Sequence, residues 1–129
     1  MAVLCFAILP VLRAITVDCL RQMNKKIAIL LWATTPEQPA SCTMPFVYAA
    51  VAAAMDCEVE VHFTGLSVRL LVDGVAAGIT SEQIGKTVYD LMQEASEQGV
   101  RFLACSMALK DYVAAEEANV PEYSGAAGA

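Results

Sequence analysis

The sequence of 129 residues predicts an α/β domain in which helices cover a mainly parallel sheet. Two observations support this fold class. Short apolar runs that look like strands alternate along the chain with segments of helical periodicity, and each helical segment is long enough to connect two parallel strands. Connections of this kind are right-handed in nearly all proteins, so the expected architecture is a three-layer sandwich. The length suits one compact domain.

The first strand is predicted at "KIAILLW", residues 26–32, a run rich in Ile and Leu that is bounded by lysines. The polar stretch "TTPEQPASC" follows as a loop. Thr43 is a suitable helix cap and Pro45 fits an early helical position, so "FVYAAVAAAMD" is predicted to form a helix of about 12 residues. Cys42 is therefore expected in the loop before this helix.

The second strand is predicted at "EVEVHF", residues 58–63, where acidic residues alternate with valine. One face of this strand is therefore expected to be more exposed to solvent than the other, which suggests an outer strand. Residues 64–78 hold either a short helix or an additional strand. Glycines at positions 65, 74 and 78 suggest that this segment approaches other parts of the chain closely.

A helix is predicted from Ser81 to Gln98, because Ile84, Val88 and Leu91 fall on one face and Gly99 can end it. The third strand follows at "VRFLAC". Another helix is predicted over "SMALKDYVAAEEAN", starting from a Ser106 cap. The tail "PEYSGAAGA" stops where a further strand is expected to begin.

The order of the strands decides where a site lies. Flavodoxin-like sheets have the order second-first-third, and their ligands bind beyond the carboxyl ends of the strands, where the strand order reverses. With that order, the first and third strands are neighbours. The loop with Cys42 and the turn with Cys105 are then expected to face one cleft.

Residues 1–22 are expected to lie outside the domain, which spans residues 23–129. The first twelve residues are nearly all apolar, but a signal peptide carries positive charge before its apolar region, and here Arg13 follows it. A spanning helix needs about 20 apolar residues, so stable membrane insertion is not expected. Met23 is a natural start, and we expect residues 1–22 to be either not native or disordered. The alternative is a membrane or partner anchor.

Composition excludes several classes of function. Fourteen acidic and eight basic residues give a formal charge of −6, and no basic cluster exceeds Lys25-Lys26, which argues against a nucleic-acid partner. The five cysteines form no CxxC pair, so neither a disulfide framework nor a zinc knuckle is expected, and a reducing cytoplasm fits best. None of three phosphate-binding motifs occurs, so we expect no nucleotide or flavin cofactor.

Cys105 is the main candidate site residue. It lies between a strand and a predicted helix, where free backbone N–H groups and the helix dipole favour a thiolate. The alternative is packing, because free cysteine is among the most buried residue types.

Three segments carry a resemblance to a known family: "KKIAILLW", "VHFTGLSVRLL" and, above all, "GVRFLACSMALKDYV" from Gly99 to Val113. Together they resemble the DsrE/DsrF-like family of sulfur-relay proteins, over residues 25 to 129. The resemblance implies a flavodoxin-like fold, assembly into a homo-oligomer, and a cytoplasmic sulfur carrier rather than a classical enzyme. It also implies that Cys105 accepts sulfur as a persulfide from a donor protein and passes it to an acceptor protein, without a metal or cofactor.

Cys42 and His62 are secondary candidates. Cys42 either resolves or shares a persulfide, or it is a shielded loop residue. His62 either assists a thiolate, or helps a metal site with Cys42 and Cys105, or makes an ordinary hydrogen bond or subunit contact.

Two other functions stay open from the sequence. One is a non-catalytic oligomeric module that binds a small ligand or metal, because alanine-rich helices and high hydrophobicity suit subunit packing. The other is a thiol peroxidase, which is disfavoured because Arg101 is the only arginine near Cys105 in the sequence and lies well down the strand.

Overall fold

The computed structural model describes residues 25–127, so the expectations for residues 1–22 lie outside the described residues. Within this described part, the chain contains two short 3₁₀ helices, Gly65–Leu71 and Ala76–Gly78. Its other elements are β1 (Lys26–Leu31), α1 (Pro39–Ala54), β2 (Glu58–Phe63), β3 (Thr80–Ser81), β4 (Lys86–Thr87), α2 (Val88–Glu97), β5 (Arg101–Cys105), α3 (Ser106–Tyr112) and β6 (Tyr123–Ala127).

The fold class is confirmed as mixed α/β. Four parallel strands form the main sheet in the order β1-β2-β5-β6, and helices flank it, which is consistent with a flavodoxin-like fold. The expected strand order is wrong, because β2 separates β1 from β5. For the same reason β2 is an inner strand and not an outer one. Each main strand pairs with the main strand that precedes it in the chain, so the sheet has no reversal of strand order within residues 25–127.

The core lies between this sheet and α1. Val59, Val61 and Phe63 of β2 alternate with more exposed residues and are buried, because side chains on a strand point to opposite faces. Phe63 and Phe102 of the sheet meet Phe46 of α1, with ring centroids 5.8 to 6.0 Å apart. α2 packs against α1, so both helices lie on this face.

The opposite face of the sheet is more exposed. Lys26, Ala28 and Leu30 of β1 are exposed, and Glu58, Glu60 and His62 of β2 are half-buried. Ion pairs join its charged residues: Lys26 Nζ lies 3.1 Å from Glu58 Oε2, and Arg101 of β5 pairs with Glu60. Right-handed connections that all step in one direction place their helices on one face, which accounts for the exposure of the other.

Two helices begin at residues other than those predicted. α1 starts at Pro39 rather than after Thr43, because Pro39 fits the first turn of a helix, and Pro45 is accommodated inside. α2 starts at Val88 rather than Ser81, because residues 80–87 form the β3–β4 hairpin. Thr87 caps α2: its side chain accepts from the Asp90 N–H, and Asp90 accepts from the Thr87 N–H.

The carboxyl-terminal third also differs from the sequence prediction. α3 ends at Tyr112, several residues earlier than expected. In the loop that follows, Glu117 accepts hydrogen bonds from the Ala114 N–H and from Arg69 of the first 3₁₀ helix. The tail does not stop before a further strand: residues 123–127 are themselves the fourth strand of the main sheet, β6, paired with β5.

The segment with several glycines is helical rather than extended. Gly65 has φ of +55° and packs so closely on Trp32 that a Cβ would lie 2.9 Å from the Trp32 carbonyl oxygen. The predicted close approach is therefore confirmed at Gly65. It is not found at Gly74 or Gly78, where a Cβ would meet nothing within 4 Å.

Candidate functional site

Cys105 is the last residue of β5 and directly precedes α3. In a parallel sheet this is the edge where ligands and partners meet the strand ends. The strand pleat determines its face, since Phe102 and Ala104 are buried while Leu103 and Cys105 point to the other side and are half-buried. The Cys105 side chain packs in part against the core. Its position at a strand-to-helix junction agrees with the sequence.

The surroundings of Cys105 differ in one respect from the expectation. α3 has seven residues, and although Cys105 is its N-cap, the thiol makes no capping hydrogen bond to the helix. Cys105 is therefore distinguished by the partial exposure of its side chain at the strand end, and not by a hydrogen bond to the helix.

Cys42 lies in α1 and not in a loop. Its side chain is completely buried, and Sγ donates a hydrogen bond to the Thr35 carbonyl oxygen over 3.3 Å. Burial raises the pKa of the Cys42 thiol; a hydrogen bond with the Ser41 side chain opposes this increase in part, and the Glu37 carboxylate adds a smaller increase. The prediction that Cys42 overhangs Cys105 from a loop is wrong, because the helix starts earlier and the strand order separates β1 from β5.

His62 lies on β2 beside Leu103 of β5, on the same sheet face as Cys105. Its Nε2 lies 3.1 Å from Glu60 Oε2, and Glu60 also pairs with Arg101. The imidazole is thus held by a carboxylate of its own strand. Among residues 25–127, no group of three or more His, Cys, Asp or Glu side chains is arranged to hold a metal ion.

Exposed apolar side chains lie at the same end of the sheet as Cys105. Leu31, Phe63 and Ala104 are paired across three strands, so Trp32 and Cys105 both lie one residue beyond that row. Trp32 is 73% exposed, and Met107, two residues after Cys105, is 71% exposed. Sequence reasoning missed this surface, although the single tryptophan directly after an apolar strand was a usable signal. A molecule that approaches Cys105 meets an apolar rim.

A cavity of about 340 Å³ also opens at this end of the sheet, lined by Thr34, Thr35 and Arg69 among others. Arg69 is already engaged: its Nη1 donates to both Glu117 oxygens, at 2.7 and 2.9 Å, and to the Tyr112 carbonyl. Thr34 Oγ1 donates to Ser67 Oγ over 2.9 Å. These groups hold the first 3₁₀ helix against its neighbours.

The three cysteines within the described residues, Cys42, Cys57 and Cys105, are free thiols. No helix among residues 25–127 has the length and apolarity needed to cross a membrane.

A search of curated proteins finds no match. The sequence model of the DsrE/DsrF-like family matches residues 25–128, nearly all of the α/β domain and with it the segment around Cys105. The chain therefore belongs to the DsrE/DsrF-like family.

Proposed function

We propose that the protein is a cytoplasmic sulfur-relay carrier that holds sulfane sulfur as a persulfide on Cys105 and passes it to a partner thiol. The observation that carries this proposal is a half-buried free thiol at the carboxyl end of an inner parallel strand, next to exposed apolar side chains. The DsrE/DsrF-like family is generally associated with sulfur relay, which supports the same function.

The chemistry requires one thiolate and two docking events. In loading, the Cys105 thiolate attacks the outer sulfur of a donor persulfide, R–S–SH. The S–S bond of the donor breaks, the donor leaves as R–S⁻, and Cys105 carries S–SH. In unloading, an acceptor thiolate attacks that outer sulfur and Cys105 leaves as a thiolate. The two steps conserve electrons, so the transfer needs no external oxidant or reductant.

Neither step requires a dedicated base, which fits a histidine that is bound to Glu60. We propose Cys42 only as an accessory thiol. Its raised pKa keeps it protonated at neutral pH, so it acts as a poor nucleophile. The proposal also includes assembly into a homo-oligomer. Light scattering coupled to gel filtration measures the mass of the assembly in solution.

The test of the proposal is sulfur loading of the full chain. Reduced protein is incubated with inorganic polysulfide and studied by intact mass spectrometry and non-reducing peptide mapping. We expect one added sulfur atom, located on Cys105, and no uptake by Cys105→Ser. Cys57→Ser is the matched control, because Cys57 is also a half-buried free thiol, and it should load like the wild type.

Two results would contradict the proposal: Cys105→Ser protein that takes up as much sulfur as the wild type, or sulfur that is distributed evenly over all five cysteines. Either result favours the alternative of a non-catalytic module that binds a small ligand or metal.

A further inference from the structure

An apolar groove runs between β1 and α1 at the edge of the main sheet. Met44, Tyr48, Val51 and Met55 form a stripe along α1 at helical spacing, and they are 37% to 72% exposed. Residues of β1 line the other side of the groove, which encloses about 650 Å³ and has no charged residue in its lining. Contiguous exposed apolar surface of this kind marks a contact site.

The free edge of β1 offers backbone groups to a further strand. Within residues 25–127 β1 pairs with β2 alone. The carbonyl oxygens of Lys25 and Leu31 accept hydrogen bonds from the β2 side of the sheet. Backbone groups of successive strand residues point to opposite edges, so Ala28 and Leu30 direct their N–H and C=O groups away from β2. Residues 27–31 contain neither proline nor charge, the devices that keep free edges from pairing with other chains.

We propose that a second copy of this chain occupies the groove, with the two β1 strands paired antiparallel across a two-fold axis beside Ile29. The main sheets of the two copies then join into one continuous sheet, and the two α1 stripes pack on each other against it. A second copy fits because it supplies a free strand edge and an apolar stripe together, as a two-fold contact requires. The inference rests on the homo-oligomer of the proposed function and specifies its interface.

The two-fold axis determines which residues meet. Opposed residues lie on the same face of the sheet, so Ile29 opposes Ile29 of the second copy, and Ile27 opposes Leu31 on the side of α1. On the other face Ala28 opposes Leu30, which is 68% exposed in the single chain. Ala28 and Leu30 are also the residues whose backbone groups point outward, and an opposed pair of this kind exchanges two hydrogen bonds. The register therefore satisfies the free backbone groups and pairs the apolar side chains at once.

The two neighbouring symmetric registers are less favourable. An axis beside Ala28 would oppose Leu31 with Lys25 and place a charge on the apolar side. An axis beside Leu30 would oppose Ile27 with Ala33, which lies beyond the end of β1. The axis beside Ile29 is the one that keeps lysine and loop residues out of the apolar contact.

The exposed stripe on α1 is large enough for a stable contact. From their exposed fractions, its four side chains leave on the order of 500 Å² accessible in each copy, so a two-fold contact covers on the order of 1,000 Å². Specific interfaces begin at about this size, and the paired strand edges add to it. The formal charge of −6 repels copies at long range, but the groove lining carries no charge and salt screens charges beyond about 8 Å.

A cysteine beside the two-fold axis tests the interface directly. Because the backbone groups of residue 29 point to β2, it forms a non-hydrogen-bonded pair with its copy, with Cα atoms about 4.5 Å apart, which a disulfide spans. Ile29→Cys is made in the full-length protein with Cys5, Cys19, Cys57 and Cys105 replaced by serine. Ala28→Cys in the same background is the control, since its two copies lie roughly 8 Å apart, too far for a disulfide.

After mild oxidation, we expect a covalent dimer linked through position 29, and at least tenfold less of it through position 28. Mass spectrometry of the linked peptides identifies the bond. Equal linkage at positions 28 and 29 would overturn the proposed register, and linkage at neither would overturn the interface. Because these variants lack Cys105, the result is independent of sulfur transfer.

The mass of the assembly in solution provides a test without any new cysteine. Tyr48→Glu places a charge in the middle of the α1 stripe, so we expect light scattering to show a mass at least twofold lower than that of the wild type. Met107→Glu is the matched control, because Met107 is also exposed but lies outside the groove, and it should keep the wild-type mass. A Tyr48→Glu protein of wild-type mass would place the interface elsewhere, and a monomeric wild type would exclude it. Sulfur uptake by Tyr48→Glu, measured on the same sample, shows separately whether Cys105 still loads.

Discussion

At the scale of single residues, Cys42 and Cys105 differ in how their thiols meet solvent. Both contribute to the same apolar cluster, but Cys42 is completely buried and donates to the Thr35 carbonyl, whereas Cys105 is half-buried at a strand end. The position of Cys105 at a strand-to-helix junction was predictable from the sequence, because an apolar run followed by Ser106 marks such a junction. The position of Cys42 was not predictable in this way, since its burial depends on where α1 begins.

The raised pKa of Cys42 predicts a loss of stability in alkali. Its folded pKa lies above the ordinary value of 9.0, so the folded state holds the proton more tightly than the unfolded state. The stabilisation is fully present below the unfolded pKa and is lost as the pH rises through the folded pKa. We expect the free energy of unfolding in urea to fall less above pH 9.0 in Cys42→Ala than in the wild type.

Thr43→Ala is the control for this measurement, because Thr43 is buried next to Cys42 in α1 and carries no group that ionises in alkali. It should keep the alkaline slope of the wild type. An unchanged slope in Cys42→Ala would mean that the burial of Cys42 has no effect on its ionisation.

At the scale of elements, helix starts were the least predictable feature, although their signals were present. Thr87 and Asp90 have the spacing of a capping box, and the structure uses it to start α2. Thr80 and Ser81 also qualify as caps, and only the β3–β4 hairpin, which turns at Gly85 with φ of +70°, decides between them. Hairpin pairing depends on contacts that helical periodicity does not report.

The contact between Gly65 and Trp32 predicts a cost for any side chain at position 65. Gly65→Ala should lower the free energy of unfolding by at least about 1 to 2 kcal/mol, because the backbone is left-handed there and the new Cβ would meet the Trp32 carbonyl. Gly78→Ala is a matched control, since a Cβ there meets nothing within 4 Å. Its effect should stay below about 1 kcal/mol. Equal effects in urea denaturation would refute the role assigned to this contact.

At the scale of the whole molecule, the sequence predicted the fold class because each strand and helix carries its own periodicity. The strand order was not predictable in the same way. "KIAILLW" and "VRFLAC" are equally apolar, and nothing local states that β2 lies between them. Only the packing of all strands against α1 and α2 selects the order. Because β2 lies between β1 and β5, the cleft expected between these two strands is not formed.

The aromatic cluster that joins sheet and helix predicts where stability is concentrated. Phe102 is buried and contacts both Phe46 and Phe63. Phe102→Ala should cost about 3 to 5 kcal/mol, a large share of the roughly 5 to 15 kcal/mol that stabilises a typical domain. Met107→Ala, at an exposed position, should change stability by less than about 0.5 kcal/mol. A thermal unfolding midpoint that is the same in both variants would contradict this assignment.

The one-directional strand order also bears on how the chain is made. Each main strand pairs with the main strand synthesised just before it, so the sheet can grow at a single edge as the chain leaves the ribosome. Among the strands of residues 25–127, none has to insert between two that are already paired. Until β6 emerges, however, β5 is the growing edge of the sheet, so the backbone of the strand that carries Cys105 stays open to pairing with other chains until β6 is synthesised.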